Sequence, residues 1–162
     1  MLNPDQKRKL IIGEPAPNFT LHDLQGQSHQ LQDYQENIVV LNFWSATCQW
    51  AERADKEIIP MLADWGNEVV YLSIASNANE PYKQLSEVSQ ARKIPLVLHD
   101  ANQEIAKLYH AEYTPEIFIL DHKGLLQYQG AFDDVTFRNR EPSVNYLQEA
   151  LASVRAGRTP DP

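Results

Sequence analysis

Apolar and polar positions along the chain change period several times, and each change predicts an element. Phe19 and Leu21 stand among polar neighbours and Gln25-Gly26-Gln27 supplies a turn, so residues 18–32 predict a short hairpin. Ile38 to Phe43 is almost uninterrupted apolar sequence, the pattern of a strand buried on both faces, as in a helix-covered parallel sheet. Trp50, Ala51, Ala54, Ile58, Met61, Leu62 and Trp65 then recur at helical spacing until Gly66, which predicts one helix over about Cys48 to Trp65. Pro60 lies inside it and predicts a kink or a break into two pieces.

The alternation continues. Val69 to Ala75 predicts a second buried strand, and Leu85, Val88 and Ala91 after Pro81 a second helix. Leu96 to His99 predicts a third strand, with Asp100 capping a helix that carries Ile105, Ala106, Leu108 and Tyr109. Glu116 to Leu120 and Leu125 to Gln129 form a hairpin about Asp121-His122-Lys123-Gly124. In the closing helix Ser143 is the expected N-cap, Val144, Leu147, Leu151 and Val154 the core stripe, and Gly157 the stop. Strands alternating with helices, then an antiparallel hairpin and a helix, specify an α/β fold: a mixed central sheet with helices on both faces and an N-terminal β-hairpin extension. Active groups in such sheets lie beyond the carboxyl ends of the parallel strands, where Cys48 falls.

Composition narrows the picture. A chain of 162 residues fits one domain and buries roughly 70% of its extended-chain surface, enough for a core without disulfides. The expected division is an N-terminal arm over residues 1–12, one domain over 13–157 and a flexible tail over 158–162. A net charge of −8 argues against nucleic acid or an anionic membrane as partner. The basic run Lys7-Arg8-Lys9 reads as a solvated arm without function. No stretch is long and apolar enough for a membrane span.

The chain's only cysteine sits where the first buried strand runs into a helix. Unpaired N–H groups and the positive end of the helix dipole favour a thiolate there, and the thiolate is the nucleophilic form. The competing expectation is an inert buried cysteine, a common fate of free thiols.

Three segments, in order, carry a resemblance. Gly13-Glu14-Pro15-Ala16-Pro17-Asn18-Phe19-Thr20-Leu21 with Asp23-Leu24-Gln25-Gly26, the strand ending Leu41-Asn42-Phe43-Trp44, and Thr114-Pro115-Glu116-Ile117-Phe118-Ile119-Leu120-Asp121 resemble TlpA-like proteins of thioredoxin fold, relatives of the AhpC/TSA redoxins. The resemblance implies a thioredoxin-like three-layer sandwich and thiol–disulfide exchange at Cys48. It implies a cis proline at Pro115 that presents the backbone of Thr114 to an extended substrate. Such proteins usually carry Cys-x-x-Cys at this junction, whereas this chain has Cys48-Gln49-Trp50-Ala51. Ala51 resolves nothing, so a mixed disulfide at Cys48 would need an outside thiol such as glutathione, a partner's thiol or a second copy.

Around the sulfur, Thr47 is expected to donate a hydrogen bond and Trp44 and Trp50 to shield the thiol or offer a surface to substrate, although Trp44 fits the core equally well. Asn42 replaces the buried acid of thioredoxins proper and reads as structural. Glu52 answers the helix dipole or, turned back, opposes the thiolate. The alternative activity is a one-Cys thiol peroxidase with antioxidant function; the matching positions are Leu41, which breaks the peroxiredoxin pattern, and Ser45, which replaces its threonine. The arginine that chemistry needs could come from Arg92, Arg138 or Arg140. A third possibility is a scaffold that kept the fold and lost turnover. The five histidines show no ligand spacing, so no metal and no cofactor are expected, and Asp133-Asp134 reads as a solvated pair. Expected partners are protein or low-molecular-weight thiols and disulfides. With one cysteine nothing demands an oxidising compartment, so the cytoplasm is the default, although TlpA-like proteins often work outside it.

Overall fold

The computed structural model describes residues 10–161, so the Lys7-Arg8-Lys9 run lies outside them. Strands β1 (Thr20–Asp23), β2 (Ser28–Gln30), β3 (Ile38–Trp44), β4 (Val69–Ala75), β5 (Val97–His99), β6 (Glu116–Leu120) and β7 (Leu126–Gly130) build one sheet in the order β2-β1-β5-β4-β3-β6-β7. The helices are α1 (Gln49–Trp65), α2 (Tyr82–Arg92), α3 (Glu104–Leu108) and α4 (Tyr146–Arg155). The pairs β3–β4 and β4–β5 are parallel, and α1 and α2 make the crossovers that parallel pairing requires. β6 and β7 add an antiparallel edge on one side, β1 and β2 on the other.

Every residue of β3 and β6 is buried, as continuous apolar runs demand at the centre of a covered sheet. Side-chain alternation then sorts the core into two layers. Ile38, Val40, Ile117 and Ile119 pack under α1 and α4 with Ala54, Ile58, Leu147 and Leu151. Leu41, Phe43, Leu72, Leu98 and Phe118 face the other way, against Ile105 of α3, Tyr109 and Phe19. Helix α2 joins the first layer through Leu85, beside Trp44 and Ala51. Helices therefore cover both faces, the three-layer arrangement expected.

Local details correct the sequence reading in places. Pro60 does not divide α1, which continues to Trp65. Burial of Ala54, Ile58 and Trp65 on one stripe outweighs the roughly 3 kcal/mol that an interior proline costs. The N-cap of α4 is Asn145, whose side chain accepts from Gln148 N at 2.9 Å; Ser143 is instead bound to Asp134, and Val144 precedes the helix. Asp100 holds α3 from a distance, accepting from Ile105 N at 3.2 Å and Ala106 N at 3.0 Å. Gly66 ends α1 at φ 64 and Gly124 turns the β6–β7 hairpin at φ 77, left-handed values that favour glycine. At the N-terminal end, Gly13 N donates to the Leu126 carbonyl at 2.7 Å and Leu126 N to that of Glu14 at 2.9 Å. Among the described residues no helix is long and apolar enough to cross a membrane.

Candidate functional site

The register of β6 on β3 builds the site. Phe43 pairs with Glu116, so the loop that precedes β6 is brought against the turn that follows β3. Cys48 ends that turn as the N-cap of α1, with φ −80 and ψ 121, and is half-buried. Its Sγ–H donates to the Thr114 carbonyl at 3.4 Å. The Thr114–Pro115 bond is cis. Two segments that the sequence separates by more than sixty residues thus meet at one sulfur.

Glu80, in the loop between β4 and α2, lies beneath the turn and is 3% exposed. Its carboxylate accepts from the Ser45 hydroxyl, from Ala46 N at 2.8 Å, from Thr47 N at 3.4 Å, from the Thr47 hydroxyl at 2.8 Å and from Asn77 Nδ2 at 3.0 Å. Burial alone would push this carboxyl up; the donors from Ser45, Ala46 and Thr47 outweigh burial and hold it below the ordinary carboxylate range. Thr47 therefore spends its hydroxyl on Glu80, which corrects the expectation that it serves the sulfur.

Trp44 is also corrected. Its side chain is fully buried and its indole N–H donates to Asp55 Oδ2 at 2.8 Å, so it belongs to the core and offers no surface to substrate. Arg92, the last residue of α2, donates to Asp55 Oδ2 at 3.0 Å and to the Ala46 carbonyl at 2.9 Å, with its guanidinium 5.8 Å from the Trp44 ring. Burial pushes the Asp55 carboxyl up, against the lowering pull of Trp44 and Arg92. Asn42 Nδ2 donates to the Tyr71 hydroxyl at 2.9 Å; burial pushes that hydroxyl's pKa up to about 12.

On the other flank Glu116, 2% exposed, accepts from Glu112 N at 2.9 Å and so ties down the loop carrying Thr114. Burial pushes its carboxyl above the ordinary range despite the hydrogen bonds from the Glu112 amide and Gln129. Trp50 stands edge-on to Phe137, ring centroids 5.1 Å apart, and with Tyr113, Pro115, Phe132 and Val135 lines an apolar groove of about 270 Å³. Phe137 is 74% exposed. Asp133 is buried, not solvated as expected: it takes the Arg53 guanidinium at 2.7 and 2.8 Å and fastens the 131–137 segment to α1. Asp134 accepts from Ser143 N at 2.9 Å and Val144 N at 3.1 Å, and these bonds, with that of the Ser143 hydroxyl, pull its carboxyl down to about 2.

Of the candidate residues, Cys48, Thr114, Pro115 and Trp50 converge, Thr47 borders the site with its hydroxyl turned away, and Trp44 supports it from below. The histidines lie elsewhere, and among the described residues no cluster could hold a metal ion. Sequence reasoning missed Glu80, Asp55 and Phe137. Only Glu80 left a trace, as a carboxylate next to the proline that opens α2, and nothing in that spacing points to a turn 34 residues away.

A model of the AhpC/TSA family matches residues 12–129. The thiol-disulfide oxidoreductase ResA of Geobacillus kaustophilus (strain HTA426) is 30% identical over 124 residues, which cover 74% of this chain and 68% of that protein. Among solved structures, an uncharacterised conserved protein from Geobacillus kaustophilus superposes with a TM-score of 0.85 at 26% identity, covering 95% of this chain and 87% of the other. The thioredoxin domain of a thiol-disulfide oxidoreductase from Bacteroides vulgatus has a TM-score of 0.67 at 18% identity, covering 82% and 94%. That likeness is one of fold: the sheet and its helices are thioredoxin-like.

Proposed function

The chain belongs to the AhpC/TSA family, and from that premise and the setting of its thiol we propose that it is a thiol–disulfide oxidoreductase acting through Cys48 alone. The observation that carries this reading is the contact of the Cys48 thiol with the Thr114 carbonyl at 3.4 Å, at the half-buried N-cap of α1.

The chemistry follows from the atoms present. The Cys48 thiolate attacks one sulfur of a substrate disulfide; that S–S bond breaks, the displaced sulfur leaves as a thiolate and takes a proton from water, and Cys48 is left in a mixed disulfide. Ala51 stands where a resolving thiol would be needed, so an external thiol attacks the substrate sulfur and Cys48 leaves as the thiolate. That step leaves the external thiol joined to the substrate sulfur in a new disulfide; a second external thiol attacks the first one's sulfur and releases the substrate thiol, so full reduction of one disulfide oxidises two external thiols. Ionisation of Cys48 also removes its S–H donor, which frees the Thr114 carbonyl to accept an amide of an extended substrate. Trp50 and Pro115 flank such a segment, and a compartment rich in small thiols, the cytoplasm, suits the resolving step.

Peroxide reduction is placed second. The Ser45 hydroxyl donates to Glu80, and Arg92 is turned to Asp55 and the Ala46 carbonyl, so neither is offered to a peroxide at the sulfur. Incubation with glutathione disulfide and, separately, with hydrogen peroxide, followed by intact mass measurement, tests the assignment. A glutathione adduct is expected with the first reagent. Oxygen addition without an adduct would favour the peroxidase, and an unchanged mass with both would favour a scaffold.

A further inference from the structure

We infer that Glu80 is a positioning residue for the reactive thiol: its carboxylate fixes the β3–α1 turn so that Cys48 meets the Thr114 carbonyl and an incoming disulfide at one angle. The chemistry of the turn supports this. What converges beneath it is a set of donors, the Ala46 and Thr47 amides and the Ser45 and Thr47 hydroxyls, and a carboxylate is the side-chain group that accepts without donating. A glutamine in the same place would turn an NH₂ toward one of these donors.

The charge is held by hydrogen bonds alone. No ion pair to Glu80 occurs among the described residues, and its carboxylate reaches no nearer to Cys48 along the chain than the neighbouring Thr47, whose N–H and hydroxyl it accepts. A neutral serine or asparagine would serve to cap a turn. What the carboxylate adds is reach to several donors at once, with charge-assisted bonds that are about twice as strong as neutral ones. Rigidity of the turn, rather than a favourable field at the thiol, is what this arrangement delivers.

Helix α2 strengthens the grip from its far end. Ala46, two residues before the cysteine, gives its N–H to Glu80 at 2.8 Å, just ahead of α2, and takes Arg92 on its carbonyl at 2.9 Å, at the last residue of that helix. The peptide units on both sides of Ala46 are thereby held to one rigid element. Because Glu80 touches the turn and not the reacting atoms, its role stands on the exchange chemistry proposed above for Cys48.

Full-length Glu80→Ala, Glu80→Gln and Thr47→Val proteins test the proposal through two rates followed by intact mass, with a thermal melt for each variant. One rate is exchange with glutathione disulfide, which needs in-line approach; the other is alkylation by iodoacetamide, which tolerates many approaches. Relative to alkylation, exchange is expected to fall about tenfold in Glu80→Ala and roughly threefold in Glu80→Gln, which keeps one acceptor oxygen. Thr47→Val is expected to lower it about twofold and to add little on top of Glu80→Gln, since both cut one network. A purely structural role would lower the melting temperature and leave that ratio untouched, and an unchanged ratio in folded Glu80→Gln and Thr47→Val overturns the proposal. Should Glu80→Ala fail to fold, the other two variants decide. A wild type that is alkylated and attacks dithiodipyridine but ignores glutathione disulfide would remove the proposed exchange function, while the ratio measured with dithiodipyridine would still judge Glu80.

Discussion

The two flanks of Cys48 are built on different physics. On the α2 side the turn is held by buried polar groups, with Glu80 under its donors and Arg92 on the Ala46 carbonyl. On the β6 side Thr114 and Pro115 border an apolar groove walled by Trp50, Phe132 and the exposed Phe137, with Glu116 and the Arg53–Asp133 pair as its polar anchors. Buried hydrogen bonds specify one geometry because leaving any member unpaired is expensive. Apolar contact is non-directional and tolerates varied occupants. On the exchange chemistry proposed for Cys48, a thiol between such walls would be aimed from one side and leave the other open to substrates of different shape.

The most severe way to break the comparison is to remove the atom both flanks serve. Cys48→Ser is expected to abolish the glutathione adduct seen by mass spectrometry, with melting within a few degrees of wild type. Next in size, Arg92→Ala strips a partner from buried Asp55 and from the Ala46 carbonyl, and is expected to cost about 3 kcal/mol in denaturant unfolding, as loss of one partner of a buried ion pair does. A loss within experimental error would mean that the α2 flank is not held as described.

The two carboxyls sharpen the contrast through opposite signs of pH dependence. Glu80 is held below the ordinary carboxylate value of about 4.3, so its contribution to stability is present above that pH and is lost as pH falls through the lower folded value. Glu116 is pushed above it, so the native state keeps that proton longer than the unfolded chain, and stability falls as pH rises from about 4.3 through the raised value. Unfolding free energies followed across the acid range should therefore lose an acid-side decline in Glu80→Gln and an opposite decline in Glu116→Gln. Parallel profiles would refute the distinction. The smallest effect on stability is expected from Phe137→Ala, under about 0.5 kcal/mol for so exposed a residue. That variant should nevertheless slow reduction of a disulfide flanked by aromatic residues while leaving glutathione disulfide unaffected, as steady-state rates with the two substrates would reveal.

Much of the architecture was legible in local pattern. The continuous apolar runs of β3 and β4 marked central strands, and the helical stripe ending at Gly66 marked α1, because periodicity and capping are properties of neighbouring residues. Placement of Cys48 where a strand enters a helix is local in the same sense. Errors arose where two local cues competed: Ser143 looked like a cap until Asp134 claimed it, and Pro60 looked like a breaker until packing held the helix together. Aspartates 133 and 134 read alike, yet one is buried against Arg53 and the other is half-buried and accepts from the Ser143 and Val144 amides.

By itself, then, the amino-acid order determined which segments become strands and helices, the family, and the solitary thiol at the head of α1. Tertiary structure alone decided the company that thiol keeps: Glu80 and Arg92 beneath its turn, the Thr114 carbonyl opposite it, Phe137 across from Trp50. The division has a simple cause. Dihedral preference and hydrophobic period act between near neighbours and leave a repeating mark, whereas a carboxylate meeting a turn 34 residues away is set by sheet register and helix packing, which leave no local mark.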